Sequence, residues 1–263
     1  MLSHLNQQRE NFRDHFPNIC FVFIVPLFAL KYFIRRAPDF FDWRSGVFEF
    51  PMEAEQVEQA SLRILQEGNY EKYKVLTPPQ RTEKLLEIQA LLEERHQTPE
   101  RKAELYREQG LLFDAAQDYS NAIESYDQAL AIKPDDHEAW NKRGIVLARL
   151  ERYEAAIDSF DKALEFKPDY HYAWYSRGLA LRKLGRYEEA IDSYDKALAI
   201  KPDYDSAWYG KACCYGLQRD VEQAINYLQT AIDLDPKWRE MAKTDRDFDA
   251  VREDDRFQAL MGE

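Results

Sequence analysis

The adjacent thiols of Cys213 and Cys214 are the residues whose types most invite chemistry. A redox or metal-binding pair needs both sulfurs on one side of a turn, as a CxxC spacing provides. Neighbours on a helix diverge instead, and no histidine lies nearby in sequence. With Ala212 beside them, they read as small residues packed inside a helix. The histidines, His4, His15, His96, His137 and His171, fall into no HxxxH or HExxH spacing. A glycine-rich phosphate loop, a GxSxG elbow and a Ser/His/Asp arrangement do not stand out either. The expectation is therefore no catalytic residue, no metal ligand and no cofactor. What remains is non-covalent recognition, which depends on the elements that present side chains.

Those elements announce themselves by period. Trp140, Trp174 and Trp208 stand 34 residues apart, as do Pro134, Pro168, Pro202 and Pro236. Ala122, Ala156, Ala190 and Ala224 keep the same interval, and so do Ala129, Ala163, Ala197 and Ala231. A fixed period of this length marks a stacked repeat. Each unit reads as two helices. The first carries Trp140, Gly144 and Leu147, then Trp174, Gly178 and Leu181. A short turn, LERYEAA or LGRYEEA, leads to a second helix with Ile157, Phe160, Ala163 and Leu164, then Ile191, Tyr194, Ala197 and Leu198. Small residues at Gly144, Ala156 and Ala163 let backbones approach, and Trp140 and Phe160 fill the remaining volume. Proline ends the second helix. Asp169 or a neighbour is expected to cap the next one.

This pattern resembles the tetratricopeptide repeat, W-x2-L-G-x2-Y followed by A-x3-F and P. Four units cover about half the chain: 103–136, 137–170, 171–204 and 205–238. The first has Tyr106 for tryptophan, and the fourth has Ala212 for glycine and Leu228 for the aromatic. All four depart at the usual leucine, which is Gln109, Arg143, Arg177 or Lys211. The resemblance implies an all-α right-handed solenoid whose first helices line a concave groove for a protein client. Carried over by repeat position, it implies a groove of Arg107, Asn141, Arg149, Tyr172, Tyr175, Arg182, Lys183 and Tyr209. Tyrosine brings large contact area at low entropy cost and suits such a surface. Some relatives grip a chaperone's terminal carboxylate with a Lys/Asn/Arg clamp. Here Ser206 and Gly210 stand where the third repeat's cations belong, so that clamp is not expected.

An array needs ends. Residues 239–263 read as a C-terminal cap in which Phe248, Val251, Phe257 and Leu260 cover the last repeat, with DRD and REDDR left in water. Residues 52–102 read as a helical region off the consensus. One helix is expected from Glu53 to Glu67 and another from about Gln80 to Arg95; Tyr73 stands where a repeat would hold alanine.

Residues 1–51 differ in composition. ICFVFIVPLFALKYFI, from Ile19 to Ile34, spans about 24 Å as a helix, against about 30 Å of hydrocarbon. Lys31 lies near its end and Arg35 and Arg36 follow it, which predicts a membrane anchor within 16–34 and the repeats on the cytoplasmic side. No basic leading region or A-x-A site marks a cleaved signal. Two alternatives compete: a helix buried on the chain or a partner, and a dispensable leader before Met52. The formal net charge is −12, and residues 51–263 hold 30 basic and 43 acidic residues. Such a surface repels phosphate backbones, so nucleic acid is not an expected partner. Three cysteines form no disulfide framework, which fits a reducing compartment.

These expectations combine into a non-enzymatic scaffold, tethered to a membrane, that binds a client peptide or helix and helps assemble a membrane complex. The KPDYxxAW-like junctions are similar to repeat proteins of photosynthetic bacteria, some of which carry an N-terminal membrane segment and assist assembly of pigment–protein complexes. The alternative is a soluble cytoplasmic adaptor that binds a cytosolic partner or a second copy of itself.

Overall fold

The computed structural model describes residues 52–262. Every regular element among them is helical, and they fall into two compact units divided between Ala116 and Gln117, inside the first repeat.

The first unit holds α1 (Ala54–Glu67), α2 (Tyr70–Lys74), α3 (Pro78–Glu93) and α4 (Pro99–Ala115). Their starts are set by local chemistry. Asn69 Oδ1 accepts from the amide of Glu71 at 2.8 Å, and Thr98 Oγ1 from Arg101 at 3.2 Å. At α3 the Gln80 side chain reaches back to the Thr77 amide at 2.9 Å, with Pro78 and Pro79 pre-set for the first turn. Ile64, Tyr73, Ile88, Leu91, Leu105 and Leu112 form the core of this unit. Tyr73 is part of that core, which explains a large ring where a repeat would place alanine.

The second unit runs α5 (Tyr119–Ile132), α6 (His137–Arg149), α7 (Tyr153–Phe166), α8 (His171–Lys183), α9 (Tyr187–Ile200), α10 (Asp205–Leu217) and α11 (Val221–Leu234). It closes with α12 (Lys237–Thr244), a 3-10 turn (Arg246–Phe248) and α13 (Asp255–Met261). Helices pack in order: α6 on α7, α8 on α9, α10 on α11, and each pair on the next. The three periodic tryptophans have equivalent surroundings. Each indole Nε1 donates to the carbonyl of the proline six residues before it, at 2.9, 2.8 and 2.9 Å for Trp140, Trp174 and Trp208. A Cβ on Gly178 would lie 2.6 Å from the Tyr194 ring, so this crossing requires glycine.

The residues at the usual leucine position have a different task. Arg143 donates to Asp127 in the preceding second helix at 2.7 Å and to Ser159 in its own at 2.8 Å. Arg177 repeats the arrangement with Asp161 and Ser193. Lys211 keeps the ion pair to Asp195 and meets the Tyr227 ring 4.1 Å from its centroid. A cation therefore ties each of these repeats to the one before it.

Two local expectations are corrected. Asp169 caps nothing. Asp136 caps α6 by accepting from Glu138 and Ala139, but tyrosine fills the cap position at Tyr170 and Tyr204, and neither α8 nor α10 has a side-chain cap. Nor does DRD stay in water: Asp245 and Asp247 turn inward, as described below. The apolar run 19–34 lies outside the described residues. Among the described residues, no helix is long and apolar enough to cross a membrane.

Candidate functional site

The first helices α6, α8 and α10 of the second unit carry all but one of the groove positions named above. The exception, Arg107, is on α4 of the first unit. Arg149 and Lys183 are exposed at the ends of α6 and α8. Tyr172, 48% exposed, is the most open aromatic of the set. It belongs to a cluster at the starts of α8 and α10. Its ring lies 4.0 Å from His171, 5.9 Å from Tyr170 and 5.9 Å from Tyr204, and Tyr175 lies 5.1 Å from Tyr204. Lys167 and Lys201 sit over the rings of Tyr170 and Tyr204. Asn141 is buried, and its Oδ1 has no hydrogen-bond partner.

Tyr209 and Arg182 are placed differently, because the C-terminal segment covers them. Tyr209 stacks on Trp238 at 4.3 Å, meets Phe248 edge-on, and donates its hydroxyl to Asp245 at 2.8 Å. Arg182 pairs with Asp247. The Asp247 carbonyl lies so close to Gly216 that an added Cβ would come within 2.6 Å of it. Lys237 and the Trp238 indole both reach Asp205, at 3.0 and 2.8 Å. Arg252 braces the turn by donating to the Asp245 carbonyl at 2.7 Å. Phe248, Val251, Phe257, Met261 and Trp238 complete the apolar core at this end.

Cys213 lies in that core and Cys214 in the neighbouring one. Both thiols are free, and burial pushes each up to about 12, so they are protonated at neutral pH and poor nucleophiles. Cys213 Sγ and the carboxylates of Asp245 and Asp247 lie within 4.8 Å of one another. Tyr209 and Arg182 already satisfy those carboxylates, so the protein supplies the counter-charge a metal would bring. A cleft of about 560 Å³ between α6 and α7 is lined by Trp140, Arg143 and the charged residues of α7, and shares no residue with the groove positions.

Sequence reasoning missed Asp245, Asp247 and Gly216. Nothing in the 34-residue period marks them, since they follow the last repeat. The cation ties were legible in principle: Asp, cation and Ser recur at intervals of 16 within the period.

Consecutive helix pairs, with an aromatic ring packed on glycine where α6 meets α7 and α8 meets α9, and a periodic tryptophan bonded to the proline carbonyl before it, define a helical-repeat domain of the protein-interaction class. Two family descriptions, both tetratricopeptide repeat, match the chain, one over 107–171 and the other over 171–204 and 206–237. This is a tetratricopeptide-repeat protein, and domains of this family are typically non-enzymatic scaffolds that bind proteins. No curated protein sequence matches it. Among solved structures, the MamA RS-1 ArsTM double mutant is similar at 21% identity, over 70% of this chain and 95% of that one, with a TM-score of 0.57. A structure of the MamA protein is similar at 20% identity, over 70% and 96%, with a TM-score of 0.56. At such identity the likeness is one of fold.

Proposed function

We propose that the first-helix face of α6, α8 and α10 binds an extended segment or a helix of a client protein. The observation that supports this most is the open Tyr172 within its aromatic cluster at the start of α8, where Lys167 and Lys201 lie over the neighbouring rings of Tyr170 and Tyr204, with the exposed cations Arg149 and Lys183 at the far ends of α6 and α8. Aromatic area beside flexible positive charge favours a client with apolar or aromatic residues and some negative charge.

The finer reading places this scaffold at a membrane, attached through residues 16–34 with the repeats on the cytoplasmic side, assisting assembly of a membrane complex. It rests on the length of the apolar run and on Lys31, Arg35 and Arg36.

Selection of phage-displayed peptides against the full chain tests the first reading. The selected peptides should lose affinity on Tyr172→Ala and on Arg149→Glu, and keep it on Lys162→Ala, which lies off this face. Equal affinity for all three variants would refute the assignment. For the tether, full-length protein should sediment with membranes while a chain starting at Met52 stays in the supernatant; identical partition of the two would end it.

A further inference from the structure

The segment after the last repeat does more than close a hydrophobic end. The turn Asp245-Arg246-Asp247-Phe248 reaches Arg182 in α8 and Tyr209, Cys213 and Gly216 in α10. Arg182 and Tyr209 hold repeat positions that the tetratricopeptide resemblance assigns to the client groove. The contacts are those of a bound peptide: one carboxylate on a guanidinium, a second on a tyrosine hydroxyl, an aromatic ring beside Tyr209, and a backbone carbonyl against a glycine. Yet the fit is incomplete. Arg182 meets Asp247 through one terminal nitrogen, and its buried Nε has no acceptor. A carboxylate free to approach side-on would take both donors in the fork geometry that guanidinium favours.

We propose that residues 245–248 are an internal ligand occupying the client site of the third and fourth repeats, and that the client recognised there is an acidic peptide with an aromatic residue next to an aspartate, which competes with the turn. The inference rests on the reading of the first-helix face given above and names the client's chemistry. Binding at this end of the face requires the turn to leave. Apparent affinity is therefore lowered by the fraction of molecules in which the turn is seated.

The probe is a fluorescent synthetic peptide carrying residues 243–250, KTDRDFDA, added to the full-length chain and followed by anisotropy. Asp247→Asn removes the charge that holds the turn on Arg182 while keeping its size. The peptide should bind this variant about tenfold or more tighter than the wild-type chain, and Arg182→Gln on the same background should abolish binding. A peptide of the same composition with scrambled order should not bind. If Asp247→Asn loses helical circular dichroism, Asp245→Asn makes the same comparison, since it weakens the Tyr209 and Cys213 contacts and keeps an amide oxygen to accept from the Asp247 N–H that caps the turn. Equal affinity for wild type and the folded variant, or no binding to the variant, overturns the proposal. Tyr172→Ala, outside the turn's contacts, separates the two readings. Selected peptides lost on Tyr172→Ala with no response to KTDRDFDA sink this inference alone, whereas indifference in both assays sinks both.

Discussion

Single residues in this chain carry costs that the repeat imposes on every copy. Gln117, Glu151, Gly185 and Arg219 stand 34 apart and all have positive φ, at 62°, 58°, 77° and 65°. Each sits in the turn between the two helices of a repeat, where the backbone must pass through the left-handed region. Only Gly185 meets it without a Cβ penalty, which is about 1–2 kcal/mol for other residues. Replacing Glu151 or Arg219 by Gly removes that strain but returns about 0.4–1 kcal/mol of entropy to the unfolded chain. Strain relief should win narrowly: Glu151→Gly and Arg219→Gly should raise stability by about 0.5 kcal/mol, and Gly185→Ala should lower it, in urea titrations of helical signal. A second residue-scale effect belongs to His171. Burial lowers its pKa from 6.5; the Lys201 and Lys167 charges add to this and Asp203 opposes it. Its Nε2 is buried without a partner. The unfolded chain therefore takes up the proton first, so the contribution of His171 is fully present above 6.5 and is lost as pH falls through the lower folded value. Melting temperature should drop more steeply between about pH 7 and 5 for the wild type than for His171→Gln. Parallel slopes would show that the site stays neutral-tolerant through another route.

Between elements, the decision lies in how one helix pair grips the next. The aromatic-on-glycine crossing supplies close packing, as where Tyr194 meets both Gly178 and Gly210. The cation ties supply the rest. Arg177 is largely buried but its partner Asp161 is half exposed, so its ion pair is partly screened. Arg177→Leu, which restores the residue usual for the family, should still cost about 1 kcal/mol, because Asp161 loses a charged donor while Ser193 keeps only its bond to the Glu189 carbonyl. The difference from wild type should narrow in about 1 M salt. A leucine variant as stable as the wild type would show that apolar contact replaces the tie in full. Pairs within one helix matter less. Lys196 reaches Asp192 as its spacing predicts, while Lys162 turns to Glu165 instead of Asp158, and all four side chains are about half exposed.

At the scale of the whole molecule, a stacked array passes stability only between neighbours. The C-terminal segment is the neighbour of α10 and α11, where Trp238, Phe248, Val251, Phe257 and Met261 share a core with Tyr209 and Leu228. Deleting residues 237–263 should therefore abolish slow amide exchange in α10 and α11 while α6 and α7 keep most of theirs. Uniform loss across α5–α11 would mean the unit folds as a single cooperative block. The formal net charge is −12, and Arg149 and Lys183 are exposed cations on the first-helix face.

The sequence by itself determined the helix pairs, their period and the residues at their crossings, because the same short-range pattern of tryptophan, glycine, aromatic and proline recurs and each copy specifies its own local fold. It also fixed the apolar residues Phe248, Val251 and Phe257 as covers for the last repeat. Only the tertiary structure decided where Arg182 and Tyr209 point their chemistry. Those positions look open when counted along a repeat, and become covered because a non-repeating segment folds back on them. Hydrophobic pattern predicts which residues leave water, but an aspartate turns inward only when a guanidinium and a phenol far away in sequence wait to receive it. Such pairings carry no period for a reader of the chain to find.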